Sequence, residues 1–339
     1  ALPIYATTSR RHSLVMACTS PITGWRAINP NPKTGKRPIV FSPKDGYKDM
    51  EVTLPCGRCT SCRLEHSRQW AVRCMHEASM HERNSFITLT FSPEHLPNDH
   101  SIRKEHLQKF FKRLRKNTGI KFRYFACGEY GDNKGRPHYH AIIFGTDFPD
   151  RVLHSKTKNG DMLYRSATLE KAWPYGFSLI GEVSFQSAAY VARYVMKKRK
   201  GDDDKVDPKT GKTNKEHYMV VDPNTGEAFD IQPEFCLMSR GSGKKDDPPL
   251  FRYGIGRAWL DKHKDDTNKD FITLNGHKMG LPKYYDSVLQ AEDELQMMER
   301  KLKRKNKINL SEQTPERLEA KRKVTEAKIN MLPRNLQDY

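Results

Sequence analysis

No part of the 339-residue chain offers the roughly 18 consecutive apolar residues that a membrane-spanning helix needs, so a spanning protein is excluded. Also missing is a basic segment leading into a short apolar run of the secretory kind, and the expectation is a cytoplasmic protein, in the host bacterial cytoplasm if the chain is phage-encoded. Acidic residues are too few to balance the basic ones: 41 Asp and Glu face 60 Lys and Arg, for a net charge of +19. That excess is more than solubility requires and points to a polyanionic partner, nucleic acid before membrane; a merely basic surface is the plainer alternative. An even set of spaced cysteines is lacking too. There are seven, three of them crowded at Cys56, Cys59 and Cys62, which suits metal-bound thiolates in a reduced compartment better than a disulfide framework. What is present, 36% hydrophobic and 10% aromatic residues, supports a folded centre and excludes disorder throughout.

Residues 1–55 are rich in Pro, Gly, Lys and Ser and read as irregular structure or short edge strands. The cysteine cluster then leads into a helix expected over Arg63 to Arg83. FITLTF at Phe86 to Phe91 is β-branched and aromatic and predicts a strand closed by Pro93. Ser101 is the expected N-cap of a helix whose Leu107, Phe110, Phe111 and Leu114 recur at helical spacing and which Gly119 ends. Its other face carries Lys109, Lys112, Arg113 and Lys116, a solvated face by default and a candidate phosphate-binding face in so basic a chain. Lys121 to Glu129 and His138 to Phe144 read as two strands of a hairpin joined through the Gly- and Asn-containing turn at Tyr130 to Pro137. A short helix near Ala167 to Trp173, a strand at Gly176 to Val183 and a helix from about Phe185 to Lys198, capped by Ser184, complete a pattern read as α+β with a mainly antiparallel sheet. Four regions follow: an N-terminal part with the cysteine cluster (1–83), a core (84–200), an insertion and accessory segment (201–280) and a charged helical tail (281–339). In the tail, Val288, Ala291, Leu295, Met298 and Leu302 form a short heptad-like stripe, and Thr314 with Pro315 marks another helix start.

Two places carry chemistry. On a strand, alternate side chains share a face, so His138 and His140 point the same way while Tyr139 points to the other side. Glu129, at the end of the partner strand, can approach the pair. Two imidazoles and a carboxylate leave open positions on a divalent ion for a phosphate oxygen, although lone surface histidines and a hairpin-end carboxylate are the ordinary alternative. In SAAYVARYVMKKRK, Tyr190 and Tyr194 are neighbours on one helix face, about 130° from the stripe formed by Ala188, Val191, Ala192 and Val195, and Lys197 and Lys198 fall on the tyrosine side. A phenol of pKa near ~10 is a weak nucleophile until a cation stabilises its oxyanion, which makes Tyr beside Lys a reasonable catalytic pairing.

FITLTF, GEYGDNKGRPHYHAIIFG and YVARYVMKK, in that order, resemble the three motifs of HUH rolling-circle replication initiators, in particular those of microviruses of the gokushovirus branch; PCGRCTSCRLEHSRQWAVRC is similar to the segment that precedes the first motif there. The resemblance covers about a third of the chain. It implies the HUH version of the ferredoxin-like fold, an antiparallel sheet with helices packed on one face. It also implies His138, His140 and Glu129 as ligands of Mg²⁺ or Mn²⁺, Tyr190 and Tyr194 as paired nucleophiles, and Lys198 or Lys197 as the supporting cation. The implied activity is nicking and rejoining of single-stranded origin DNA through a 5′-phosphotyrosine, with host helicase and polymerase as possible partners. Cys56, Cys59 and Cys62 form a moderately specific metal signal, with Cys74 or the rival His66 as the fourth ligand; structural zinc is the choice, an iron–sulfur cluster or free thiols the alternatives. Two other functions fit parts of the pattern: a non-catalytic zinc-containing nucleic-acid-binding protein, and a metal-dependent nuclease that releases free ends.

Overall fold

The computed structural model describes residues 18–131, 135–157, 160–194, 204, 206, 211–221 and 225–331. The chain divides into two compact units, one comprising the segment up to His66 with 273–280 and 286–333, the other Ser67–Ile272 with Leu281–Tyr285.

In the first unit, β1 (Ile22–Ala27), β2 (Ile39–Val40) and β3 (Gly46–Leu54) form a three-stranded antiparallel sheet, so the Pro/Gly-rich N-terminal part is more regular than its composition suggests. A nineteen-residue helix, α1 (Thr60–Ala78), follows; it starts three residues before the expected Arg63 and stops well short of Arg83.

The second unit is built on a seven-stranded antiparallel sheet. Its elements run β4 (Asn84–Phe91), α2 (Lys104–Thr118), β5 (Arg123–Tyr130), β6 (Pro137–Phe144), β7 (Val152–Lys156), β8 (Met162–Arg165), α3 (Ala167–Ala172), β9 (Gly176–Gly181) and α4 (Phe185–Tyr194). After α5 (Asn214–His217) and the hairpin of β10 (Met219–Val221) with β11 (Ala228–Asp230) comes β12 (Phe235–Met238). The strand order is β12-β5-β6-β4-β9-β8-β7. Two features were not legible in the sequence. The β7–β8 hairpin extends one edge, and β12, from the segment read as an insertion, pairs with β5 at the other.

Helices cover both faces, which corrects the expectation of one covered face. The alternation of β6 decides this: Tyr139, Ala141 and Ile143 join Leu107, Phe110, Phe111 and Leu114 of α2 and Leu169 and Ala172 of α3 in one buried core. On the opposite face, Trp70 of α1 stacks on Phe125 at 4.8 Å, and the Ser67 hydroxyl donates to the Ala189 carbonyl of α4 at 2.9 Å. Helix ends follow local chemistry. Gly119 takes the left-handed conformation (φ 69°) and its N–H closes α2 on Arg115 O, whereas the N-cap of α2 is Arg103, not Ser101. Ser101 Oγ instead accepts from the Gln232 N–H at 2.8 Å. Ser184 does cap α4, accepting from the Ser187 N–H at 3.1 Å.

Further on are α6 (Pro249–Arg252), α7 (Arg257–Lys262), β13 (Phe271–Leu274), β14 (His277–Gly280), α8 (Lys283–Glu292), α9 (Glu294–Asn306) and α10 (Pro315–Asn330). Thr314 caps α10 with Pro315 at its first turn, as the sequence predicts. The heptad-like stripe is not one surface: Asp293 breaks it by capping α9, and Leu295, Met298 and Leu302 are exposed while Met297 is buried.

Candidate functional site

The second and third strands of the sheet set the site. In the β5–β6 ladder Glu129 lies opposite His138 and Cys127 opposite His140; on the other side of β6, Thr88 faces His140 and Thr90 faces His138. Directly opposed residues share a face, so Glu129, His138, His140, Thr88 and Thr90 all project away from the α2 core, toward α4. Tyr139 goes the other way, where its hydroxyl accepts from the Arg103 N–H at 2.9 Å and meets His106 Nδ1 at 2.6 Å.

Glu129 is the hub. It is buried, and one of its oxygens, Oε1, lies 2.7 Å from His140 Nε2 and accepts from the Tyr190 hydroxyl at 3.3 Å. The Tyr190 ring stands edge-on to the His140 ring, centroids 5.1 Å apart. His140 is further fixed by Thr88 Oγ1 at 3.0 Å from Nδ1 and by Phe86, whose ring lies nearly parallel at 5.9 Å. His138 is hydrogen-bonded through Nδ1 to the Arg136 carbonyl at 2.6 Å, which holds the tautomer with Nε2 as the ligating nitrogen. Burial, followed by the neighbouring His140, keeps the His138 imidazole below its usual pKa despite that hydrogen bond, in the neutral form a metal takes.

Two imidazoles and a carboxylate on one face match the donor set of a hard divalent ion with open positions. The trio is open: among the described residues only a cysteine cluster brings three or more ligand atoms within 4.8 Å of one another, so His138 stands back from the His140–Glu129 pair.

Tyr190 is buried alongside the apolar Ala188, Val191 and Ala192, but its hydroxyl is turned to the carboxylate rather than into the hydrophobic core. Arg193, one turn along, lies 5.8 Å from the Tyr190 ring centroid. Tyr194 ends α4, and its side chain, like Lys197 and Lys198, lies outside the described residues. The basic face of α2 is not brought to this site: α2 packs on the opposite layer, with Lys109, Lys112 and Lys116 exposed. Arg113 turns inward, its Nε donating to the Ala172 carbonyl at 2.9 Å and its guanidinium 5.0 Å from the Tyr175 ring.

In the other unit, Cys18 joins Cys56, Cys59 and Cys62, with Sγ–Sγ separations of 3.6 Å to Cys56 and 3.9 Å to Cys59. A tetrahedral zinc with Zn–S near 2.3 Å requires thiolates roughly 3.8 Å apart, so the cluster is compatible with structural zinc. The fourth ligand is therefore corrected from Cys74 or His66 to Cys18. Cys62 and Cys74 both lie on α1, twelve residues and roughly 18 Å of helix rise apart, too far to share an ion. Cys74 is fully buried, a thiol raised well above its usual range by burial. Within the cluster, burial opposes ionisation of Cys59, but the backbone N–H groups of Cys62 and Thr19 outweigh it and lower that thiol to about 6. Burial and the neighbouring sulfurs raise Cys62. Sequence reasoning missed Cys18, which sits alone in the Pro/Gly-rich stretch, and Thr88, whose signal was the alternation of Thr with apolar residues in FITLTF.

Comparison with known proteins gives the class first. The chain is 30% identical over 258 residues to the replication-associated protein VP4 of Bdellovibrio phage phiMH2K, covering 73% of this chain and 71% of that one. It is 31% identical over 256 residues to the replication-associated protein ORF2 of Spiroplasma virus 4 (71% and 68%), and 37% identical over 166 residues to the replication-associated protein ORF4 of Chlamydia phage 1 (45% and 41%). The model of the replication-associated protein ORF2 family matches residues 84–199, the span from β4 through the tyrosine helix. The chain belongs to this family of replication-associated proteins. No solved structure matches it. No helix among the described residues is long and apolar enough to cross a membrane.

Proposed function

We propose that the protein initiates rolling-circle replication as an HUH-type endonuclease, nicking single-stranded origin DNA in the host cytoplasm and remaining attached to the 5′ end. The observation that carries the reading is the convergence of Tyr190 and His140 on one oxygen of buried Glu129. A core-packing tyrosine has no need of a carboxylate between two ring systems. A Mg²⁺ or Mn²⁺ ion held by His138, His140 and Glu129 would supply Lewis-acid polarisation of the scissile phosphate.

The chain's own part is orientation and proton handling. Tyr190 Oη bonds to phosphorus, the P–O3′ bond breaks, and the 3′-hydroxyl leaves with a proton while the phosphodiester is conserved as a phosphotyrosine. Glu129, as acceptor of the Tyr190 hydroxyl, offers the phenol proton a first destination. Tyr194, one helical turn on, is the second nucleophile in this reading, and Lys197 or Lys198 offsets charge on the phosphate. Lys109, Lys112 and Lys116 would hold DNA on the opposite layer. Host helicase and polymerase would open and copy the template.

Incubating the protein with circular single-stranded phage DNA and resolving the products on a denaturing gel tests the reading. A covalent protein–DNA adduct supports it. Cut DNA without attachment favours a nuclease that uses the histidines alone. Intact but bound DNA favours a zinc-containing binding protein, the reading that the four-cysteine cluster by itself would support.

A further inference from the structure

The cross-strand row that contains Glu129 and His138 does not stop at the metal-binding groups. In register, Glu129 of β5 faces His138 of β6, His138 faces Thr90 of β4, and Thr90 faces Phe177 of β9. All four side chains therefore rise from one face of the sheet. Phe177 is 60% exposed, whereas its neighbour Ser178 is buried in the opposite layer. With adjacent strands about 4.8 Å apart, Phe177 stands two strands, roughly 10 Å, from His138. Its position is fixed by Gly176, whose backbone (φ 155°) presses on β4 so closely that a Cβ would meet Thr90 O at 2.4 Å and Ser92 N at 2.3 Å.

We propose that Phe177 is a base-stacking residue, receiving an unpaired base of single-stranded DNA that runs along this row. The proposal rests on the reading of the protein as a DNA-nicking initiator. A lone exposed apolar residue is ordinary, and a Phe on a strand can be there for strand propensity alone. This one is aromatic, rigidly presented, in line with the proposed phosphate-binding groups, and carried by a chain of net charge +19. Non-specific binding of single strands combines just these parts, a basic protein that tracks phosphates and an aromatic face on which bases of any sequence stack.

The test is fluorescence anisotropy in excess chelator, where nothing is cut, with two probes: a 20-nucleotide oligodeoxythymidylate, and an abasic deoxyribose-phosphate strand of the same length. Phe177→Ala is expected to weaken the thymidylate strand about tenfold, with the abasic strand bound as by wild type. The salt dependence should be unchanged, because no phosphate contact is lost. Phe177→Trp should restore binding and Phe177→Leu should not, which separates stacking from simple apolar bulk. Equal binding of the thymidylate by wild type and Phe177→Ala overturns the proposal, as does equal weakening toward both probes. Because neither probe is cleaved, absence of a covalent adduct in the gel assay would defeat the nicking mechanism while leaving this measurement to decide the stacking.

Discussion

Replacing Cys18 by serine should remove zinc from the protein, and replacing Cys74 by alanine should not. Cys18 is 1% exposed, with its sulfur 3.6 Å from Cys56 and 3.9 Å from Cys59, close to the roughly 3.8 Å edge of a zinc tetrathiolate. Zinc-linked folding energies of about 10–16 kcal/mol, shared over four ligands, assign about 3 kcal/mol to each thiolate, or more than about a hundredfold in zinc affinity. Cys74→Ala removes only a buried sulfur, a packing loss of about 1 kcal/mol with the metal retained. The assay is zinc content of the purified variants, together with release to a chromogenic chelator and thermal melts with and without chelator. Wild type and Cys74→Ala should carry about one zinc per chain, and only they should lose stability when it is stripped. Full-affinity zinc in Cys18→Ser, loss of zinc in Cys74→Ala, or iron with visible absorption in the wild type would refute the assignment.

Chelation, His138→Ala or His140→Ala should each abolish DNA cleavage while single-strand affinity stays largely intact, since basic residues supply most of it; electrophoresis and anisotropy on the same samples read both. Glu77 is fully buried and accepts from Arg123 Nη1 and from the Gly256 N–H, each at 2.7 Å, so Glu77→Gln should cost about 3–5 kcal/mol in a denaturant titration by leaving the Arg123 charge unpaired. His76 is buried against Trp259 and, mainly through burial and then through His263, its pKa is lowered from 6.5 to about 3. The unfolded chain therefore binds the extra proton first, and stability should be full above pH 6.5 and fall progressively as the pH drops toward 3. His76→Gln should flatten that part of a melting-temperature profile.

The metal-binding pair and the tyrosine helix were legible because strand alternation and helical spacing are local rules. Tyr139 between His138 and His140 could only point to the opposite layer, and it does, against Arg103 and His106. Pairing between distant segments left no such trace. Phe235–Met238 is four residues long and flanked by turns, and its place beside β5 follows from the ladder partner it finds rather than from its own pattern. Cys18 lies 38 residues before Cys56, beyond the reach of any spacing rule, so the nearer Cys74 took its place in the sequence reading. The wheel put Tyr190 away from the apolar stripe, but it could not foresee that α4 is enclosed on that side too, by the sheet face that carries Glu129.

That a tyrosine of α4 takes the DNA covalently is tested most directly by mass spectrometry of the nuclease-trimmed, protease-digested adduct. A 5′-phosphonucleotide is expected on Tyr190 or Tyr194, each single Tyr→Phe variant keeping some single-turnover adduct and the double variant forming none. An adduct mapped to any other residue, or one formed undiminished by the double variant, would contradict it.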